Sequence, residues 1–336
     1  MADRADECGV IPMSNIVDGP EVECLPIPGD PDRVQILTSR DVPLGGPRAM
    51  VVHRTLPQRA RSLIGAWCFA DHYGPADVSE TGGMDVPPHP HTGLQTVSWL
   101  FEGEIEHRDS LGEHATVRPG EVNLMTAGHG ICHSEVSTPD TTVLHGVQLW
   151  VAMPDESRDS ERKFEHFVPE PLWVGGARIS VFVGELLGST SPVSTFTPLV
   201  GAQIDLDAGA SLTIPVQLDF EHGVLVDQGT VTLEGSEIAR TEMGYVGVGH
   251  SQITVQSSDD TSSRLILLGG TPFGEELVMW WNFVGRSHDE IVEYRQQWQD
   301  HSERFGEVSG YTGAVDRLPA PTLPNARIRP RSNPGT

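Results

Sequence analysis

Cysteine is scarce: Cys8, Cys24, Cys68 and Cys132 are all that 336 residues contain, and no two stand in a Cys-x-x-Cys pair. That spacing excludes a zinc ribbon and a thioredoxin-type motif, and the thiols are expected to be reduced, with a Cys8–Cys24 pair as the lesser alternative. Long apolar runs are missing as well. The most apolar window, residues 277–284, is far shorter than the roughly 20 residues a bilayer span requires. Residues 1–30 hold Asp3, Asp6, Glu7, Asp18, Glu21 and Glu23 and no basic start followed by an apolar stretch, so no signal peptide and a cytoplasmic location are expected. Basic residues are few, Lys+Arg 22 against Asp+Glu 47, for a formal charge of −25. This charge repels phosphate backbones, and the scattered Arg and Lys form no stripe, so direct nucleic-acid binding is not expected.

Gly (36) and Pro (26) are plentiful, and they punctuate short apolar runs. Strand signals begin at 33–37 and become dense after Gly93. In Thr96-Val97-Ser98-Trp99-Leu100-Phe101 the residues Val97, Trp99 and Phe101 share one face. Further strands are predicted at 115–117, 122–125 and 143–151, with Pro119-Gly120 suited to a type II turn. A second series runs through 179–183, 203–206, 223–226, 231–233 and 265–268. Strands at such intervals indicate antiparallel sandwiches or barrels. Two β-rich domains of similar size follow, divided near the Pro-and-charge segment 154–171, itself expected as a solvated linker or short helix. Ser287 with Glu290 forms a capping box, and Ile291, Tyr294, Trp298 and Phe305 recur at helical spacing. From Leu318 onward, prolines and Arg327, Arg329 and Arg331 predict an extended surface tail.

Fourteen histidines are present, and seven of them (His89, His91, His107, His114, His129, His133, His145) fall between 89 and 145. His89-Pro90-His91 places two imidazoles at i and i+2, and His133-Ser134-Glu135 does the same for an imidazole and a carboxylate. On a strand both members of such a pair point to one face. Two such strands meeting inside a barrel would converge three nitrogens and one carboxylate, a donor set suited to a divalent first-row metal with positions left open. An open site is catalytic in character, since structural sites are closed. The plainer reading, four ordinary polar strand residues, does not account for two i, i+2 pairs at once. His107, His114 and His145 are read as packed or surface histidines. Cys132 should point away from His133 into the core. Trp67, Phe69, Trp99, Trp150 and Trp173 are read first as core and second as the lining of an aromatic pocket.

Gly83 stands five residues before His89, and Gly130-Ile131-Cys132-His133 supplies a Gly-x-x-His, the two halves of a cupin metal motif. The carboxylate that usually follows the His-x-His is replaced here by Gln95 and appears at Glu135. Pro88-His89-Pro90-His91-Thr92-Gly93 with Thr126-Ala127-Gly128-His129-Gly130-Ile131-Cys132-His133-Ser134-Glu135 resembles the pirin family, as does the 145–151 stretch. The resemblance covers residues from about 33 to 305. It implies an all-β chain of two tandem cupin-type β-barrel (jelly-roll) domains with a short C-terminal helix and an extended tail. The expected layout is an acidic segment at 1–32, a metal-bearing cupin domain at 33–153, a linker at 154–175, a second cupin at 176–310 without metal, and a tail at 311–336. The implied ligands are His89, His91, His133 and Glu135, holding one divalent ion, Fe(II) first, with Mn, Co, Ni, Cu and Zn as alternatives. In the second domain His222, His250, His288 and His301 stand alone. Gln95, where the family commonly has Glu, and His129, where it often has Arg, could retune the groups behind the ligands.

The function this resemblance implies first is that of a quercetin 2,3-dioxygenase acting on a small flavonol-like aromatic and dioxygen, with Glu135 as a base that takes the substrate's hydroxyl proton. The second is a regulatory protein that senses metal redox state and binds a protein partner, either as a transcription cofactor or on a metabolic enzyme. A metal-dependent isomerase or hydrolase is a third, separable by its indifference to oxygen. A monomer without membrane association is expected, since closed barrels have few free edges.

Overall fold

The computed structural model describes residues 34–44 and 50–333; Cys8, Cys24 and the acidic 1–32 segment lie outside them. Short antiparallel strands separated by glycine turns dominate, and one α-helix among the described residues, His288–Gln299, follows them. Two barrels, each made of a seven-stranded and a four-stranded sheet, share one strand order. In the first barrel the four-stranded sheet runs Asp85–His91, Ile131–Ser137, Ile105–Asp109, His114–Val117. Its counterpart in the second runs Ser211–Pro215, Gln252–Ser257, Val231–Leu233, Ser236–Ile238. The large sheets centre on Leu94–Glu102 with Val143–Ala152, and on Glu221–Gln228 with Ser263–Gly270.

Each large sheet ends on a strand from outside its own run of sequence. Gln35–Leu37, which begins the described chain, pairs with Met243–Val246 of the second barrel. Lys163–Phe167 lies on Val122–Thr126 of the first barrel, and Leu172–Val174 joins the second. The 154–171 segment is therefore neither a free linker nor a helix. Its charged residues cover a turn at 155–159, and its apolar Phe164 and Phe167 pair onto a sheet edge.

Alternation along the strands decides where the cores form. Val97, Trp99, Val147, Leu149 and Trp67 point out of the first barrel and pack against Phe182, Leu225, Ile266 and Leu268 of the second. The indole N–H groups carried into this interface are satisfied, that of Trp67 by the carbonyls of Val200 and Gly269 and that of Trp99 by Gln203 Oε1. Each such large side chain removed from water contributes roughly 1.5–3 kcal/mol, so the interface is a core rather than a loose contact. Alternate residues, among them Ser98 and Gln148, face the other way and bring polar groups toward the histidines.

The C-terminal segment wraps the first barrel. Ser287 caps the helix by accepting from the Glu290 amide, while the Glu290 carboxylate takes the Arg286 amide and Arg158 instead of closing the capping box. Ile291, Tyr294 and Trp298 pack on Trp280, Phe283 and Cys132, as does Phe305 from beyond the helix. The tail is not a surface strand. Ala320 and Ile328 are buried, and Asn333 is held by Ser62 and Leu63, because its apolar residues find the outer wall of the first barrel. No helix among the described residues is long and apolar enough to cross a membrane.

Candidate metal centre

Asp85–His91 is buried along its whole length, and it pairs antiparallel with Ile131–Ser137 so that His89 stands opposite His133. The register shifts between His133 and Glu135, so that Glu135 faces Val86. Pro87 and Pro88 lie in the shifted stretch. A proline has no N–H to give the ladder, so a two-proline stretch is a natural place for a bulge. Just beyond His91 the chain turns at Gly93, whose φ is +67°, and a Cβ there would stand 2.5 Å from the carbonyl oxygen of Val284. Glycine thus lets the C-terminal hairpin Val278–Trp280 and Phe283–Gly285 close over the ends of both ligand strands.

Three imidazoles converge there. Ring centroids of His89, His91 and His133 lie 4.3 to 5.1 Å apart, and their nitrogens form one donor group. The far nitrogen of each ring is committed. His89 Nδ1 donates to the Pro87 carbonyl at 2.9 Å, His91 Nδ1 to the Asn282 carbonyl at 3.2 Å, and His133 Nδ1 lies 3.4 Å from His107 Nδ1. With Nδ1–H spent on a backbone carbonyl, His89 and His91 keep a lone pair on Nε2, and His133 does the same when His107 accepts its Nδ1–H. His91 Nε2 and His133 Nε2 then face one another at 3.0 Å. Two lone pairs so placed repel unless a cation or a proton lies between them, and 3.0 Å is the separation of two nitrogens that share one ion roughly 2.1 Å from each at a right angle.

Electrostatics favour the neutral, ligating form. Burial pushes the His89 imidazole down to about 4. Burial and then the neighbouring imidazoles hold His91 and His133 well below the ordinary range. Glu135 is also buried, which raises its carboxyl above the usual value against the opposing influence of His107 and Ser98. Its Oε1 lies 3.3 Å from Ser98 Oγ. The carboxylate gathers with His107 and His133 rather than with His89 and His91, a consequence of the bulge that separates it from His133 in register. The residues present therefore fit a divalent ion: three imidazoles aimed at one point, with a buried carboxylate beside one of them.

Gln95 gives its amide nitrogen to Thr126 Oγ1 and the Ser194 carbonyl, and His129 lies at the edge, with its own carbonyl accepting from Arg304. Trp150 meets His91 edge-on at 5.1 Å and stacks on Phe69 at 4.0 Å, whereas Trp173 is exposed. Cys132 points into the C-terminal core, and burial pushes its thiol up to about 12. His114 is exposed and paired with Glu106. His145 is buried between the barrels, where its Nε2 and that of His72 meet Asp227 Oδ1 at 2.5 and 2.6 Å. In the second barrel the inward positions of the two strands that correspond to the ligand strands are filled by Leu212, Ile214, Ile253 and Val255. His107, read from the sequence as a packed or surface histidine, is buried beside His133 and Glu135, and His107-Arg108-Asp109 repeats the i, i+2 spacing of the two donor pairs.

Comparison with known proteins agrees with this fold. A family model described as Pirin matches residues 49–151, and one described as Pirin C-terminal cupin domain matches residues 201–306. A Pseudomonas aeruginosa protein provisionally named a quercetin 2,3-dioxygenase is 42% identical over 292 residues, 87% of this chain and 91% of the other. A pirin-like protein of Caulobacter vibrioides is 36% identical, over 74% of this chain and 88% of the other. The crystal structure of an Acinetobacter baumannii quercetin 2,3-dioxygenase is similar with a TM-score of 0.83 at 41% identity, covering 88% of this chain and 97% of that one. A bacterial pirin of Escherichia coli solved with nickel(II) shares the fold at 18% identity and a TM-score of 0.53, over 71% and 99% of the two chains. From the shared barrels, the histidine strands and these matches across both domains, the chain belongs to the pirin family of two-cupin proteins.

Proposed function

We propose that this protein holds one divalent first-row metal ion, Fe(II) in the first instance, through His89, His91, His133 and Glu135, and that it cleaves flavonols such as quercetin with dioxygen. The observation that carries the reading is the 3.0 Å approach of two buried imidazole nitrogens, His91 Nε2 and His133 Nε2, with a His89 nitrogen in the same group. Relatives at 41–42% identity that are named for quercetin 2,3-dioxygenase activity supply the substrate class. When bound, the ion supplies Lewis-acid polarisation of the substrate's adjacent hydroxyl and carbonyl groups. The rest falls to the chain. Glu135, whose carboxyl burial raises above its usual value, would take the hydroxyl proton as general base. Trp150, braced by Phe69, fixes the ring of His91 and offers an aromatic wall beside it. The hairpin packs on Gly93 just beyond His91, and the donors are buried.

The test is quercetin decay by metal-loaded protein in air and under nitrogen. Decay in air alone, reduced by about 100-fold or more in Glu135→Gln at equal metal loading, is the expected result. Intact, metal-loaded protein that leaves quercetin's absorbance unchanged in air would overturn the substrate assignment.

One observation favours the regulatory reading. The donors are only 5%, 2%, 1% and 7% exposed for His89, His91, His133 and Glu135, which suits an ion that is sensed more than one that turns over a bulky substrate. Under that reading a protein partner is retained by Fe(II)-loaded and Fe(III)-loaded forms to different extents. Equal recovery by both forms and by His89→Ala removes it.

A further inference from the structure

We propose that Asp109 and His107 form a relay that locks His133 in its ligating tautomer; the inference rests on the metal-site reading above. Strand pairing puts the parts in place: on Ile131–Ser137, His133 stands opposite Asp109 and Glu135 opposite His107. Asp109 and His107 are both buried. Asp109 sits at the end of its strand, where Oδ1 accepts the amides of Leu111 at 2.8 Å and Glu113 at 3.1 Å. The hairpin's own turn thus fixes the carboxylate and satisfies one oxygen. The other oxygen, Oδ2, lies 3.3 Å from His107 Nε2, and His107 Nδ1 lies 3.4 Å from His133 Nδ1.

With both rings neutral, only one arrangement of protons satisfies the contacts of Asp109, His107 and His133 Nδ1. A carboxylate only accepts, so His107 must carry its proton on Nε2. Its Nδ1 is then a lone pair, and His133 must present Nδ1–H to it. His133 Nε2 is thereby left free to face His91 Nε2. His89 and His91 are fixed by backbone carbonyls, which any sequence supplies, whereas His133 alone depends on side chains for its tautomer. Asp109 and His107 are positioning residues: neither is a ligand in this account, and both act through His133. Phe164 braces the His107 ring at 4.9 Å.

The relay can be inverted without changing shape. In Asp109→Asn the new amide nitrogen facing His107 donates instead of accepting, so the proton of His107 moves to Nδ1 and that of His133 to Nε2, the nitrogen the metal needs. A wrong-tautomer defect of this kind is known from the aspartate of serine-protease triads. His107→Gln keeps an acceptor carbonyl for His133 Nδ1–H, whereas His107→Leu removes it. The experiment has two readouts. The first is the imidazole nitrogen spectrum of metal-free protein labelled at histidine, with the His133 signals identified by their loss in His133→Gln. The second is Zn(II) affinity by titration.

Wild type and His107→Gln are expected to show His133 protonated at Nδ1 and to bind Zn(II) within a few-fold of one another. Folded Asp109→Asn should show the proton on Nε2 and bind at least about tenfold more weakly, the usual scale for losing a group behind a ligand. If Asp109→Asn does not fold, the Gln and Leu variants of His107 decide, with Leu alone weakened. An unchanged tautomer and affinity in folded Asp109→Asn, or equal affinity of the Gln and Leu variants, overturns the relay and leaves the metal site standing. Inversion of the tautomer in a protein that takes up no Zn(II) supports the relay and removes the metal site.

Discussion

Histidine behaves in several ways in this chain, and what each ring meets, or fails to meet, decides which. His89, His91 and His133 have Nδ1 committed and Nε2 aimed inward, His72 and His145 share the carboxylate of Asp227, and His114 is paired in solvent. His222 is another kind: buried, with Nδ1 lacking a partner, and pushed by burial, with a smaller push from His250, down to about 4. The unfolded chain titrates this group near 6.5, so as pH falls below that value the unfolded state takes up its proton first. The stability it contributes is present above about 6.5 and is lost progressively down to about 4. Urea unfolding of metal-free protein is expected to weaken across that window, and His222→Gln should shrink the loss by about 1–3 kcal/mol. An unaltered pH slope in the variant would contradict the assignment. At this scale the convergence of His89, His91 and His133 followed from i, i+2 spacing on two strands. The place of His107 did not, because it is defined by what lies across the sheet, and local spacing gives only the face.

At the scale of elements, the apolar strands bounded by glycine turns stood out, among them Leu94–Glu102, Val122–Thr126 and Ser263–Gly270. Those stabilised mainly by their pairing did not. Lys163–Phe167 is charged at its start and looks like linker, yet it completes a sheet edge. The C-terminal tail, with its prolines and arginines, reads as solvated and is instead pinned at its far end. Asn333 Oδ1 accepts the buried amides of Ser62 and Leu63, and Asn333 Nδ2 donates to the Leu63 carbonyl. Asn333→Ala would strand those groups, each at about 1–3 kcal/mol. A loss of about 2 kcal/mol or more in urea unfolding is expected, and a change below about 0.5 kcal/mol would show that the tail does not bear on stability.

Over the whole molecule, the two barrels are copies in strand order that have diverged in content. One interior gathers histidines and a carboxylate, and the other is filled at the matching positions by Leu212, Ile214, Ile253 and Val255. They are joined back to back by an apolar core and by Asp227, where burial, which raises a carboxyl, is outweighed by hydrogen bonds from His145 and His72 that hold it below the usual carboxylate range. Arg264 takes the remaining oxygen at 2.6 Å. The second barrel, its first edge strand and the C-terminal hairpin all lean on the first barrel, so the histidine-lined interior is shaped by residues as distant in sequence as Asn282. That long-range closure is what local pattern could not reveal, whereas the two-barrel plan and the donor strands followed from periodicity and motif. The central claim is that the three converging imidazoles hold an ion. It is tested most directly by elemental analysis of purified protein after Fe(II) loading, alongside His91→Ala: about one metal per chain, lost in the variant while its fold is kept, is predicted, and a folded wild-type protein that retains no metal would contradict it.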